Sequence, residues 1–300
     1  MNVHIANAPC SWGALEFDLD GSSPGYLQVL QEMAQAGYQG TELGDWGFMP
    51  TDPAQLQAAL QKESLDLLGA FVPVAFADPS KHQDGVEAAL RVAGLMYDAG
   101  YPHAFIVLAD ENGSVPLRTL HAGRVEHSMG LTDYQWAIFA EGVTRVAQAV
   151  KDRYSMRCVF HHHCGGYVET PSELTELMNR TSPDLVGLCF DTGHYAFGGG
   201  DPLTGLTKWR DRIWHVHFKD FDAAVGNKAA ENQWDYFTSV QNGVFCELGK
   251  GSVDFDAVKT HLEETAYSGW IVVEQDVLPG MGSPLSCAIN NRNYLKTLHL

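Results

Sequence analysis

The feature that most limits the fold of this chain is an eightfold alternation of short apolar runs with segments of helical periodicity. The apolar runs are VHIANA at 3–8, YQGTELG at 38–44, LDLLGAFVPV at 65–74 and AFIVLAD at 104–110. MRCVFHHH at 156–163, LVGLCF at 185–190, IWHVHF at 213–218 and WIVVEQ at 270–275 complete the set. Most lack a polar alternation, as expected of strands covered on both faces. Helical spacing fills the intervals. Pro24 opens a helix with Leu27, Leu30 and Ala34 on one face, ending at Gly37, and Pro53 starts a short one through Leu56 and Leu60. A third covers 83–99 with Val86, Leu90, Ala93 and Tyr97, and a fourth covers 132–150 behind Thr132 as N-cap. Thr170-Pro171, the run DPLTGLTKWR, Phe255–Glu264 and Pro284–Leu298 supply the rest.

This rhythm predicts a closed parallel barrel, a (β/α)8 TIM barrel, spanning 1–300 as a single domain. An open doubly wound sheet would place GxGxxG after the first strand, and none stands there. Residues 11–23 read as turn-rich and 111–130 as a polar loop. The stretch at about 220–253 reads as an insertion that crosses or lines the mouth of a pocket.

Charge narrows the function. With 37 acidic and 19 basic residues the net charge is -18, which repels a nucleic-acid backbone and an anionic membrane surface. The chain shows neither a transmembrane-length apolar run nor a basic-then-apolar start, so a cytoplasmic protein is expected. The six cysteines lack CxxC spacing and read as free thiols, with Cys164, beside histidines, the one to weigh as a ligand or reactive group. Nothing bears on assembly, and a homodimer is the default expectation.

In a barrel of this kind the C-terminal strand ends meet over one face. Here those ends carry His161–His163, Asp191, His217 and Glu274, which read as one metal site. His161 and His163 lie two apart and point the same way, with His162 pointing outward, so either can be the strand-five ligand and His161 is preferred. Asp191 directly follows an apolar strand, where a carboxylate needs a cation or a donor. Gly193 would permit a turn that brings His194 back to the site. His215, His217 and Lys219 share one parity, with His217 the ligand and His215 behind it.

A His/Asp/His/Glu shell of nitrogen and oxygen suits Mn²⁺ or Co²⁺, with Zn²⁺ also accommodated. Lys219 is a candidate to bind a substrate oxygen or, with a lowered pKa beside a cation, to act as base, and Glu42 at the end of the second strand is a candidate acid or base. His163 and His194 stand in reserve for the base role. Trp12, Trp46, Phe71 and Trp234 are candidates for apolar pocket walls. No phosphate-loop spacing is present, so a neutral substrate is expected.

The order FHHH, GYVETP, DTGH, GGGDP, HVHFKD, NGVF, GKGSVDF and VVEQDVLP resembles the xylose-isomerase-like barrel family. More narrowly it resembles the inosose dehydratases and inosose isomerases of inositol catabolism, with APCSWG and GTELGDWGFMP agreeing at the N-terminal side. The resemblance implies a divalent metal at the barrel mouth and a polyhydroxylated ketone as substrate. It places the family's metal aspartate on Asp191, its histidine on His217 and its last glutamate on Glu274. Two departures stand out: His161 where many relatives carry glutamate, and Gly166 where the dehydratase-like pattern usually shows Thr. Dehydration of a keto-cyclitol such as 2-keto-myo-inositol (inosose), through an enolate stabilised by the metal, is the leading expectation. A keto-sugar or inosose isomerase or epimerase is the runner-up.

Overall fold

The eight apolar runs form parallel strands that close on themselves. The computed structural model describes residues 2–14, 24–278 and 280–300; of the turn-rich stretch, 15–23 lie outside the described residues. The strands are β1 (Asn2–Asn7), β2 (Gly40–Glu42), β3 (Asp66–Val74), β4 (Phe105–Asp110), β5 (Arg157–His161), β6 (Val186–Asp191) and β7 (Ile213–Phe218), then a hairpin of β8 (Asp220–Phe221) with β9 (Phe245–Cys246), and finally β10 (Ser268–Val273). Around the barrel the order is β1-β10-β7-β6-β5-β4-β3-β2, with helices outside.

Strand parity sends alternate residues inward. Phe105, Val107, Val159 and Cys189 fill one inner cluster, and Ala6, Leu68 and Val272 another. The larger core lies between strands and helices, where Val29, Leu30, Met33, Leu56, Phe139 and Val143 pack. Capping explains where several helices begin. Thr132 and Thr170 each form a reciprocal box with the Gln135 or Glu173 side chain three residues on.

The helical faces differ from expectation in two places. Leu27 is 54% exposed, and the first helix (Tyr26–Ala36) buries Val29, Leu30, Met33 and Ala36 instead. Tyr97 is likewise exposed and lies against Tyr154 on the helix surface. An i, i+3, i+7 reading accepts any apolar residue, whereas the buried arc is set by where the helix meets the barrel.

The loop at 111–130 contains a short helix, Pro116–Leu120, that carries the fully buried Arg118. Arg118 makes a two-pronged ion pair with Glu173, at 2.8 and 2.7 Å, and donates to the Gly166 carbonyl. This ties the loop to the segment that follows β5. In the long stretch after β7, helices Ala223–Glu231 and Tyr236–Gln241 lie between the two strands of the hairpin and bring Tyr236 and Val240 to the barrel mouth.

Candidate metal centre and pocket

The pleat of β5, β6, β7 and β10 delivers His161, Asp191, His217 and Glu274 to one point. Each offers a ligand atom, these atoms all lie within 4.8 Å of one another, and all four residues are buried. Register accounts for part of this convergence: Asp191 stands beside His217 across β6 and β7, and Glu274 N–H donates to the Phe218 carbonyl.

The polar atoms facing this point lack hydrogen-bond partners among the described residues. Both ring nitrogens of His161, Asp191 Oδ2 and His217 Nδ1 are buried and unsatisfied. Asp191 Oδ2 stands 3.6 Å from His161 Nε2 and 3.9 Å from His217 Nδ1, and Glu274 Oε1 stands 3.3 Å from His217 Nδ1. Buried donors and acceptors left unpaired are costly, and a single cation would satisfy one nitrogen of His161 together with Asp191 Oδ2 and His217 Nδ1. The residues fit a divalent ion with nitrogen and oxygen ligands.

Two other groups of potential ligands share members with this set. Cys189 could join His161 and His217, but burial pushes its thiol up to about 12. Glu42 lies with His215 and His217, yet its Oε1 already accepts hydrogen bonds from both Nε2 atoms, at 2.8 Å each. That pairing has a consequence for the centre. With Nε2 paired to Glu42, Nδ1 is the His217 nitrogen that faces Asp191 and Glu274.

Glu42 is thereby placed to orient His217, and its ionisation is not that of the acid expected from sequence. Burial would raise its carboxyl, but His217 and His215 outweigh that and hold it at about 2, so it carries no proton to give at neutral pH.

The DTGH stretch builds the other half of the site. Asp191 Oδ1 accepts from His194 N–H at 2.7 Å and caps a helix, Thr192–Phe197, while Oδ2 faces the ligands. Ligation and capping, alternatives on sequence, are met by different oxygens. Gly193 serves this helix and makes no turn. A Cβ there would meet Lys219 Cγ at 2.6 Å, so its role is to admit the lysine. Thr192 Oγ1 donates to the Lys219 carbonyl at 2.7 Å and accepts from its N–H at 3.1 Å.

Lys219 is buried, with Nζ 3.2 Å from Glu274 Oε2, 3.2 Å from Asp276 Oδ2 and 3.3 Å from His194 Nε2. Burial alone would lower its pKa, but Asp276, Glu274 and Asp191 outweigh it and hold the ammonium well above its ordinary value. This direction is opposite to the lowered pKa expected from sequence, because carboxylates surround the amine.

His163 supplies the acceptor. β5 ends at His161, so strand parity does not place His163; a hydrogen bond to the Cys164 carbonyl at 2.8 Å does. Only an N–H can pair with a carbonyl, so Nδ1 carries the proton and Nε2 is unprotonated, accepting from the Tyr236 hydroxyl at 3.4 Å. Burial, with His161 and Lys219 adding to it, pushes the imidazole well below its usual pKa, so it is neutral. His194 packs against it at 3.8 Å between ring centroids and lies behind the pocket wall.

The pocket above the centre is lined by His161, His163, His217, Lys219, Glu42, Glu274, Asp276, Tyr236, Val240, Phe71, Cys10 and Asp45, among others. Of the four aromatic wall candidates only Phe71 is there. Trp12 is buried and donates to Glu32, Trp46 is exposed beneath Arg91, and the Trp234 backbone carbonyl receives Arg124. Cys164 points away, with Sγ against the His194 carbonyl. Tyr236, Asp45 and Asp276 were not anticipated. For Asp276 a signal exists, since it lies two residues past Glu274 and keeps its parity; Tyr236 opens a short helix inside the long segment after β7 and Asp45 sits on a loop, and neither leaves one.

Comparison with known proteins agrees with this geometry. Residues 30–288 match the family described as xylose isomerase-like TIM barrel. The chain is 34% identical over 296 residues to the inosose dehydratase of Geobacillus kaustophilus, covering 98% of this chain and 94% of that one. It is 30% identical over 295 residues to the inosose dehydratase of Lacticaseibacillus casei, covering 98% and 97%. Among solved structures, a probable 3-DHS dehydratase from Bacillus anthracis aligns over 99% of both chains with TM-score 0.69 and 13% identity. A 3-keto-D-glucoside 4-epimerase from E. coli aligns over 99% of both with TM-score 0.66 and 15% identity. Those two likenesses concern the fold alone. By barrel, family match and full-length relatives, this chain belongs to the xylose isomerase-like TIM barrel family.

Proposed function

We propose that this chain is a divalent-metal-dependent lyase that removes water from a neutral keto-cyclitol, with 2-keto-myo-inositol as the substrate. The observation that carries the reading is the pairing of a cationic Lys219 with an unprotonated His163 Nε2 around one four-ligand centre. Full-length identity to inosose dehydratases supports the substrate class. His161, Asp191, His217 and Glu274 would hold the ion, and Mn²⁺ or Co²⁺ suits that shell best. When bound, such an ion supplies Lewis-acid polarisation of the ketone oxygen.

The chain's own groups move the protons. His163 Nε2 takes the proton from the carbon alpha to the ketone, and the electron pair of that C–H bond shifts towards the carbonyl oxygen. As the carbon–oxygen bond to the beta-hydroxyl breaks, Lys219 Nζ delivers a proton and water departs. The enol left behind tautomerises to a 1,2-dione. Exchange with solvent then returns a proton to Lys219 and removes one from His163. Phe71 and Val240 give the pocket apolar walls that limit water around the reacting carbons.

The four carboxylates lining the pocket (Glu42, Asp45, Glu274 and Asp276) favour a neutral polyol over a phosphorylated sugar. Six unpaired cysteines support a reducing cytoplasm, and no described helix is long and apolar enough to cross a membrane. An isomerase would share the first proton transfer, so product identity decides. Metal-loaded protein given 2-keto-myo-inositol should yield a product lighter by one water, absorbing as a dione. A product of unchanged mass would replace the lyase with an isomerase.

A further inference from the structure

We infer that Asp45 is the substrate-binding residue that grips the ring hydroxyls distant from the reacting carbons, and that it makes the site selective for a neutral polyol. The inference rests on the keto-cyclitol reading and names how that substrate is held.

Asp45 lies three residues past the end of β2 and lines the pocket together with Gly44. Among the described residues its carboxylate has neither a hydrogen bond nor an ion pair; only its backbone carbonyl is engaged, by Phe48 N–H. Every other pocket carboxylate is tied down. Glu42 accepts from His215 and His217, Asp276 accepts from Lys219, and Glu274 spans Lys219 and His217. Among the described pocket carboxylates, Asp45 alone presents oxygens that no protein group engages.

Burial raises its carboxyl to about 6, the mark of a group drawn out of water without a compensating partner. Hydroxyl donors arriving beside this half-buried carboxylate would supply hydrogen bonds that no described protein group gives it.

Barrel order gives the direction of contact. Following the closed sheet from β2, β7 with Lys219 is reached through β1 and β10, and β5 with His163 through β3 and β4. The two proton-handling groups thus stand three strands away on either side of the Asp45 loop. A six-membered ring placed with its ketone and beta-hydroxyl towards Lys219 and His163 turns its far edge to Asp45. A carboxylate is matched to two adjacent hydroxyls, each donating to one oxygen. The same charge repels a phosphate or carboxylate carried on that edge.

Binding of 2-keto-myo-inositol, and of an analogue lacking the hydroxyls opposite the ketone, would be measured by calorimetry on metal-loaded parent, Asp45→Ala and Asp45→Asn proteins, alongside steady-state turnover. The parent should prefer the fully hydroxylated ring by about 10- to 100-fold, in keeping with hydrogen bonds to a charged group. That preference should collapse in Asp45→Ala, with the loss falling on Kd and KM more than on kcat, and Asp45→Asn should recover part of it.

An undiminished preference in Asp45→Ala would overturn the assignment. So would a loss confined to kcat, which points to proton transfer. If the parent binds the ketone with this preference but releases no dione, the lyase reading falls while Asp45 keeps its role. If the parent does not bind the ketone, both fall.

Discussion

Gly193→Ala is a one-methyl probe of the lysine that the site is built to hold. The added Cβ would stand 2.6 Å from Lys219 Cγ, 2.9 Å from Lys219 Cβ and 2.9 Å from the Lys219 backbone oxygen. None of these atoms is the free end of a flexible chain, so the start of the lysine side chain and its backbone must move together. Overpacking of this kind costs about 1–3 kcal/mol. The larger effect is on geometry. Lys219 Nζ is held within 3.2 Å of Glu274 and Asp276, and a displacement of ~1 Å costs on the order of 10²-fold in rate.

The variant should therefore fold, retain its metal and turn over inosose about 100-fold more slowly than the parent. Initial rates of dione formation, metal analysis and circular dichroism on the same preparations would check this. Parent-like kcat in a folded, metal-loaded variant would refute the claim that Gly193 exists to seat Lys219.

Other outcomes follow from the same geometry. In labelled solvent, Lys219→Met should lose turnover by about 10²-fold or more yet still exchange the alpha-proton, whereas His163→Gln should lose exchange; the reverse pattern would return the base role to lysine. Arg118→Met leaves Glu173 buried without its two-pronged partner and should cost about 3–5 kcal/mol by denaturant titration, while a loss below about 1 kcal/mol would show the pair to be dispensable. Burial raises the Glu169 carboxyl to about 7, against an unfolded value of about 4.3. The native state therefore holds the extra proton between those values, and this contribution to stability is present at low pH and lost as pH rises towards 7. Glu169→Gln should gain stability relative to the parent between pH 5 and pH 8, read from melting temperature, and a constant difference would refute the raised value.

The barrel and the four converging ligands were legible because they depend on two short-range rules. Apolar runs of strand length alternate with helical spacing, and a polar residue ending such a run is carried to the C-terminal face. His161, Asp191, His217 and Glu274 are all of this type. His163 was found by a parity that does not reach it, since β5 stops at His161 and a turn hydrogen bond sets its ring.

What stayed hidden depends on contacts between distant segments. The pairing of Arg118 with Glu173, the arrival of Tyr236 from the long segment after β7, and the open position of Asp45 leave no periodic trace. Ionisation states were least legible. Lys219 beside a cation reads as a lowered base, but Asp276 and Glu274, each 3.2 Å from Nζ, push it the other way. Glu42 reads as an acid until two histidines are found on one of its oxygens.

The most direct test of the account is metal stoichiometry in the parent and in Asp191→Ala after dialysis against trace-free buffer. Losing the helix cap costs about 1 kcal/mol, so the variant should keep its circular dichroism and cooperative melting. The account predicts one divalent ion per parent chain and almost none in the variant. Equal metal content in the two would contradict a centre built from His161, Asp191, His217 and Glu274.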